Sequence, residues 1–270
     1  MIKLENRHYN KAIAPLSHVK INTMFAEAVI RQRIPGTIYV DCVEAPSSFY
    51  VVHPYGMSLL FGNTDNEYFQ HNLYEYITNT RRIRNQPEWL QVAPEGAWTG
   101  TIDSIINSYN CTVHENTIIK QTRVNFSFDL EAYQRTKKQL HNHEHNVMQT
   151  TKEQYLSLSG SVTPKCFWRD ADQFLTDGIA YSLLENGEIA STAFSAFRNE
   201  HQLEIGIETS EAYRGKGYAY SVCSALIDYC LNNQLEPVWA CRLENEGSYK
   251  LAQRLGFTPS ITIPYYRLAE

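Results

Sequence analysis

One stretch, Gln202 to Leu231, limits the possible folds more than any other. It reads QLEIGIETSEAYRGKGYAYSVCSALIDYCL. Leu203, Ile205 and Ile207 alternate with the period of a half-buried strand. A polar turn and a glycine-bearing loop follow, Arg214-Gly215-Lys216-Gly217-Tyr218-Ala219. Then Ala219, Val222, Cys223, Leu226, Ile227, Cys230 and Leu231 fall at helical spacing and predict one apolar stripe. Glycines let backbone N–H groups approach a bound group with no Cβ in the way. The helix adds its unpaired first-turn amides and the positive end of its dipole. Strand, loop and helix together predict an anion site suited to a phosphate or pyrophosphate.

Composition narrows the class. The 270 residues suffice for one large or two ordinary domains. An apolar share of 43% and a charged share of 20% match a soluble globular protein. A net charge of −5 argues against a general nucleic-acid surface. No apolar run approaches the roughly 18–20 residues of a membrane span. The start, Met1-Ile2-Lys3-Leu4-Glu5-Asn6, lacks a signal-peptide core, so a cytoplasmic location is expected. Six scattered cysteines without a C-x-x-C pair read as free thiols. Cys223 and Cys230 lie on the helix stripe, where reduced cysteine behaves as a small hydrophobe.

The first half, 1–129, reads as an α/β module of unknown role. A helix is expected over residues 17–34, ended by Pro35-Gly36. Thr37 to Val43 is β-rich. Phe49–Val52 and Met57–Phe61 read as strands around a turn at His53-Pro54-Tyr55-Gly56. Asn66 to Asn79 reads as a helix and Glu88 to Val92 as a strand. Thr117 to Asp129 reads as one or two strands. Residues 130–143 read as a helical connector, which leads into His141-Asn142-His143-Glu144-His145. Successive residues cannot all face one metal, so that run is read as a solvated helix end and no metal is expected.

Two features beyond the loop carry a family resemblance. About thirty residues after it comes a short strand, Val238-Trp239-Ala240-Cys241. Then follows Asn245-x-x-Ser248-x-x-Leu251-Ala252-x-x-Leu255-Gly256-Phe257. With Arg214-x-x-Gly217-x-Ala219, this order of strand, loop, helix, strand and helix resembles the GNAT N-acetyltransferases. The expected fold class is therefore α/β (α+β). Residues 144–270 would form a GNAT fold, a mixed, splayed central sheet flanked by helices, beside the N-terminal module. The stretches Gly56–Asn63 and Asn125–Phe128 resemble the GNAT subgroup that includes the zwittermicin A resistance acetyltransferase.

The second half fits that order. Asn146 to Gln149 supplies a first strand. Helices are expected at Lys152–Leu158, N-capped by Thr150 or Thr151, and at Asp170–Leu175. Ile179–Leu184 and Glu188–Phe197 make a hairpin through Glu185-Asn186-Gly187, because Asn-Gly is a strong turn signal. Gln202–Thr209 is the fourth strand and Pro237–Cys241 the fifth. Asn245 caps the last helix, Gly256 sits where a left-handed C-cap is wanted, and Ser260–Leu268 supplies closing strands.

The resemblance implies acetyl-CoA as co-substrate and direct attack by an amine in a ternary complex. It implies that the thioester carbonyl and pantetheine lie along the fourth strand near Ile207 to Thr209. The pyrophosphate would lie on the amides of Gly215, Lys216, Gly217, Tyr218 and Ala219, with charge from Arg214 or Lys216. Asn245 and Ser248 would touch the cofactor from the last helix. The amine needs a base, and Glu204 and Glu208 are the candidates, on one strand face unless a bulge intervenes. Glu204 is favoured because Glu208 is close to the cofactor turn. The family often has a Tyr on the last helix seven positions after the Asn, to protonate the leaving thiolate. Here that position is Ala252, and Tyr249 lies one turn earlier. The acid is therefore open, and Cys241 reads as structural. The expected activity is acetyl transfer to a primary amine of a small molecule, with aminated antibiotics or metabolites as acceptors by subgroup analogy. A non-catalytic acetyl-CoA sensor and a protein N-acetyltransferase are the alternatives. A homodimer is common in the family, though no residue here fixes the oligomeric state.

Overall fold

Val52 leads into Met57 through His53–Gly56, and Gly56 takes φ 92°, so the expected hairpin closes. In the computed structural model, which describes residues 1–113, 118–139 and 145–270, this hairpin belongs to the first of two units. That unit comprises Met1–Arg123, Arg242–Glu244 and Thr262–Glu270. Its elements are β1 (Ile2–Lys3), α1 (Ile13–Leu16), α2 (Met24–Ile30), β2 (Thr37–Val40), β3 (Ser48–Val52), β4 (Met57–Gly62), α3 (Glu67–Thr78), β5 (Glu88–Ala93) and α4 (Glu95–Val113). The helix expected over 17–34 is shorter. Asn22 Oδ1 accepts the Met24 amide at 3.1 Å and restarts the chain as α2. β2 stops at Val40 because the Asp41 carboxylate takes the amides of Ser47 and Ser48 and turns the chain. The strands run in the order β1-β2-β3-β4-β5, and Tyr266–Leu268 pair antiparallel with Leu90–Glu88 at the far edge of β5. One apolar face of this sheet packs on α3 and α4 through Tyr50, Leu60, Leu90, Phe69, Leu73 and Trp98.

The second unit comprises Val124–Cys241 and Asn245–Ile261. Its elements follow the end of β6 (Ile118–Phe128): α5 (Leu130–Gln139), β7 (Val147–Gln149), α6 (Lys152–Ser157), α7 (Ala171–Asp177), β8 (Ala180–Glu185), β9 (Glu188–Arg198), β10 (Gln202–Thr209), α8 (Tyr218–Asn232), β11 (Glu236–Val238), β12 (Ala240–Arg242) and α9 (Glu246–Arg254). The start of β13 (Phe257–Leu268) completes it. Among the described residues a five-stranded sheet runs β11-β10-β9-β8-β7. Thr151 and Gln154 form a capping box on α6. Asn186 and Gly187 take φ 54° and 82°, as the β8–β9 turn requires. Val222, Cys223, Leu226, Ile227 and Cys230 of α8 are fully buried against Leu203 and Ile205 of β10. Burial pushes the Cys230 thiol up to about 12, so it is inert packing. Tyr133 of α5 donates to the Ser224 carbonyl and to Asp228, docking that helix on α8. Gly256 takes φ 83° and lies so close to α5 that a Cβ would meet Tyr133 N at 2.6 Å.

The two units repeat one order of elements. β1, α1, α2, β2, β3, β4, α3, β5, α4 in the first correspond to β7, α6, α7, β8, β9, β10, α8, β11–β12, α9 in the second. Each unit also takes a strand segment from the other half of the sequence: Thr262–Glu270 lies in the first and Val124–Phe128 in the second. No helix among the described residues is long and apolar enough to cross a membrane. Among them no cluster of three His, Cys, Asp or Glu is placed to hold a metal, and residues 141–144 of the histidine run lie outside them.

Candidate active site

The second unit opens between its fourth and fifth strands. β10 pairs in parallel with β11 over only three positions, Gln202↔Glu236 to Glu204↔Val238. The fifth strand, expected to run unbroken to Cys241, is interrupted at Trp239. The Trp239 ring is buried, its Nε1–H reaches Ser248 Oγ at 3.2 Å, and its carbonyl accepts the Phe126 amide at 3.1 Å. These contacts turn the chain away from β10. Beyond Glu204, the edge of β10 from Ile205 to Thr209 has no strand partner on that side among the described residues. Alternate N–H and C=O groups there can take an added extended ligand.

The glycine loop lies at the end of that open edge. Gly215 and Gly217 take φ 79° and 83°, and a Cβ on either would point into open space. Their conformation calls for glycine, and the room beside them suits a ligand. Gly217 is also the N-cap of α8, with no side chain to cap it. By contrast Asn66, Thr151, Asp170 and Asn245 each cap the helix they begin. The first amides of α8 and the positive end of its dipole are thus left to an external acceptor. Exposed Arg214 and Lys216 flank them. Arg214 Nε reaches the Thr209 carbonyl at 3.3 Å, and Lys216 lies 5.0 Å from the Tyr213 ring centre. Tyr218 is buried, and burial together with a hydrogen bond to Glu185 raises its phenol pKa. Its backbone, not its ring, therefore faces any anion.

The equivalent place in the first unit is closed. β4 and β5 pair in parallel over five positions, Met57↔Trp89 to Phe61↔Ala93. The loop before α3, Asn63-Thr64-Asp65-Asn66, carries no cation. Asn66 caps the helix itself, and a Cβ on Gly62 would lie 2.1 Å from the Ser47 carbonyl oxygen. This half keeps the fold without a slot or an anion loop.

The structure sorts the remaining sequence candidates. The irregularity between β9 and β10 falls at Glu204/Ile205, and the extra residue, Ala196, is on β9. β10 therefore keeps its alternation, and Glu204, Gly206 and Glu208 share a face. Gly206 lies under the Phe194 ring, where a Cβ would be 2.4 Å from it. Glu204 is buried, with 5% exposure, opposite Phe197. Glu208 is half-buried, and its Oε2 accepts the Val162 amide at 2.8 Å and the Ser161 hydroxyl at 3.4 Å. It also lines a cavity of about 390 Å³ walled by Ser157–Ser159 and Ile189–Thr192. Ile207 packs toward α8, and Thr209 Oγ1 lies 2.8 Å from Ser191 Oγ. Asn245 caps α9, and Ser248 holds Trp239. Tyr249 packs edge-on against Phe126 at 5.3 Å, and Ala252 is fully buried. The segment 157–163 and Glu188 carry no motif, so sequence reading passed over this side of β10.

A splayed fourth and fifth strand, with the glycine loop at the end of the splay, is the arrangement the GNAT resemblance implies. A family model described as GNAT acetyltransferase matches residues 14–266. The chain belongs to the GNAT acetyltransferase family. Membership places it among the acyltransferases of the N-acetyltransferase type. It is 25% identical over 236 residues to the uncharacterized N-acetyltransferase YdfB of Bacillus subtilis (strain 168), covering 86% of this chain and 85% of the relative. A GCN5-related N-acetyltransferase-like protein from Streptococcus suis 89/1591 shares the fold with a TM-score of 0.72 at 22% identity, covering 97% of this chain and 99% of that one. A tandem GNAT protein from the clavulanic acid biosynthesis pathway superposes with a TM-score of 0.60 at 10% identity, over 98% and 97% of the chains.

Proposed function

We propose that this GNAT protein transfers an acetyl group from acetyl-CoA to a primary amine of a small molecule, using the second unit. The observation that carries the reading is the uncapped N-terminus of α8, bounded by Gly215 and Gly217 at the end of the open β10 edge. When bound, acetyl-CoA supplies an activated acyl thioester. The amides of Gly215 to Ala219 hold its pyrophosphate, and Arg214 and Lys216 add charge. The β10 edge from Ile207 to Thr209 aligns the pantetheine and donates an amide to the developing oxyanion. Asn245 and Ser248 border the opening from α9. Glu208 takes the proton of the attacking amine, because it lines a cavity whereas Glu204 is only 5% exposed. Tyr249 packs on Phe126, so water protonates the departing thiolate. The resemblance of Gly56–Asn63 and Asn125–Phe128 to the zwittermicin-resistance subgroup supports aminated antibiotics or metabolites as acceptors.

Calorimetry with acetyl-CoA on the wild type and on Gly217→Trp tests the reading. Binding by the wild type and at least a tenfold loss in the variant are expected. An indole at the cap fills the space the pyrophosphate needs, while α8 stays anchored by its buried stripe. Absence of wild-type binding at millimolar ligand overturns the assignment.

A further inference from the structure

We propose that the cavity beside Glu208 is the acceptor subsite and that it selects an amine bearing a second cationic group, a diamine or polyamine; this rests on the acetyl-transfer reading above. The cavity, about 390 Å³, lies between the end of α6, the first residues of β9 and the end of β10. Among the described residues its only charged lining groups are Glu188 and Glu208, with no Lys, Arg or His. Three of its lining hydroxyls, Ser157, Ser191 and Ser210, give their protons to backbone carbonyls. Ser157 Oγ donates to the Gln154 carbonyl at 2.9 Å, and Ser210 Oγ donates to the Ile189 carbonyl at 3.2 Å. Ser191 Oγ is shared between Thr209 Oγ1 and the Glu208 carbonyl. What these hydroxyls and carboxylates offer inward is acceptor lone pairs. A ligand matching them is rich in donors and positively charged, and an ammonium has three donors and no acceptor.

Two carboxylates give the cavity two ends. Glu208 pairs in register with Thr192, and Glu188 lies four residues earlier on the same strand, ~13 Å along it at the strand rise. Glu208 Oε2 is occupied by the Val162 amide, and no donor among the described residues reaches Oε1. Glu188 Oε2 takes the Tyr213 hydroxyl at 3.0 Å, which fixes that carboxylate at the other end. The attacking amine must be neutral, so it gives its proton to Glu208 before its nitrogen forms the amide bond and the thiolate leaves. A second amine that stays protonated is then held by Glu188. A monoamine fills only the Glu208 end.

The experiment compares acetyl transfer to linear diamines and triamines with transfer to monoamines of the same chain length, at saturating acetyl-CoA, in wild type and Glu188→Gln. The wild-type KM for the longer diamines is expected at least tenfold below that of the matched monoamines. In Glu188→Gln the ratio of the two KM values falls toward one. Sodium chloride at 0.5 M should shrink the same ratio, because the Glu188 end is exposed. Equal KM values for diamines and monoamines in the wild type overturn the subsite and leave acetyl transfer standing. A ratio unchanged in Glu188→Gln overturns the role of that carboxylate. If no amine is acetylated although acetyl-CoA binds, both the subsite and the transfer reading fall.

Discussion

Glu204 and Glu208 sit four residues apart on one strand face, with the same chemistry and different access. Glu204 is enclosed opposite Phe197, where a substrate amine would have to displace packed aromatic rings. Glu208 has one oxygen anchored by the Val162 amide and its side chain on a cavity wall. A base must come within hydrogen-bond reach of the proton it takes. Glu208→Gln is therefore the informative change, because its amide oxygen can still accept from Val162 and keep segment 160–162 in place. It should lower kcat by about 100-fold or more, within the usual range for a general base. A Glu208→Gln enzyme that keeps its kcat would move the base elsewhere. Alternation in the sequence put both carboxylates on one face, but their exposure depends on Phe194, Phe197 and segment 158–167, which are remote in sequence.

At the scale of elements, what was legible was local. The β8–β9 turn follows from Asn186-Gly187, α8 from its periodic stripe, and the α9 cap from Asn245. α4 was missed because Gly96, Gly100 and several Ser, Thr and Asn give it a weak intrinsic helix signal. It forms because Trp98, Ile102, Ile105 and Ile106 are buried in the first unit's core. The break at Trp239 was missed for a similar reason: the contacts that turn the strand come from Ser248 and Phe126. The β9–β10 pair offers a direct test of how tightly the site's floor is packed. An added methyl in Gly206→Ala would lie 2.4 Å from the Phe194 ring, so the ring must shift. Overpacking of this kind typically costs 1–3 kcal/mol. A loss in that range is expected by denaturant titration, and Phe194→Leu in the same chain should recover part of it. Additive losses in the double variant would mean that the two side chains do not meet.

For the molecule as a whole, the repeat of element order is invisible in the residues, since the two halves share topology and no quoted motif. Its consequence is covalent. The first unit includes Thr262–Glu270, and the second includes Val124–Phe128. Tyr266 and Leu268 are fully buried in the core formed by Leu90, Trp98 and Ile102. Tyr266 Oη also donates to Asp103 at 3.0 Å, and Arg84 reaches the Ala269 carbonyl at 2.7 Å. Loss of a buried Leu or aromatic side chain costs about 2–5 kcal/mol each. Removal of both, about 4–10 kcal/mol before the strand pairing to Leu90 and Glu88 is counted, is comparable with the 5–15 kcal/mol that holds an ordinary domain folded. A chain ending at Ile261 should therefore lose the cooperative unfolding of its first unit, read by circular dichroism and by proteolysis within residues 37–93. A chain cut after Asp129 should give two fragments that are each incomplete, because residues 1–129 lack the strand Tyr266–Leu268 and residues 130–270 lack Val124–Phe128. Mixing the fragments should restore a cooperative transition that neither shows alone. Cooperative melting of the 1–129 fragment by itself would show that the C-terminal strand is dispensable to the first unit.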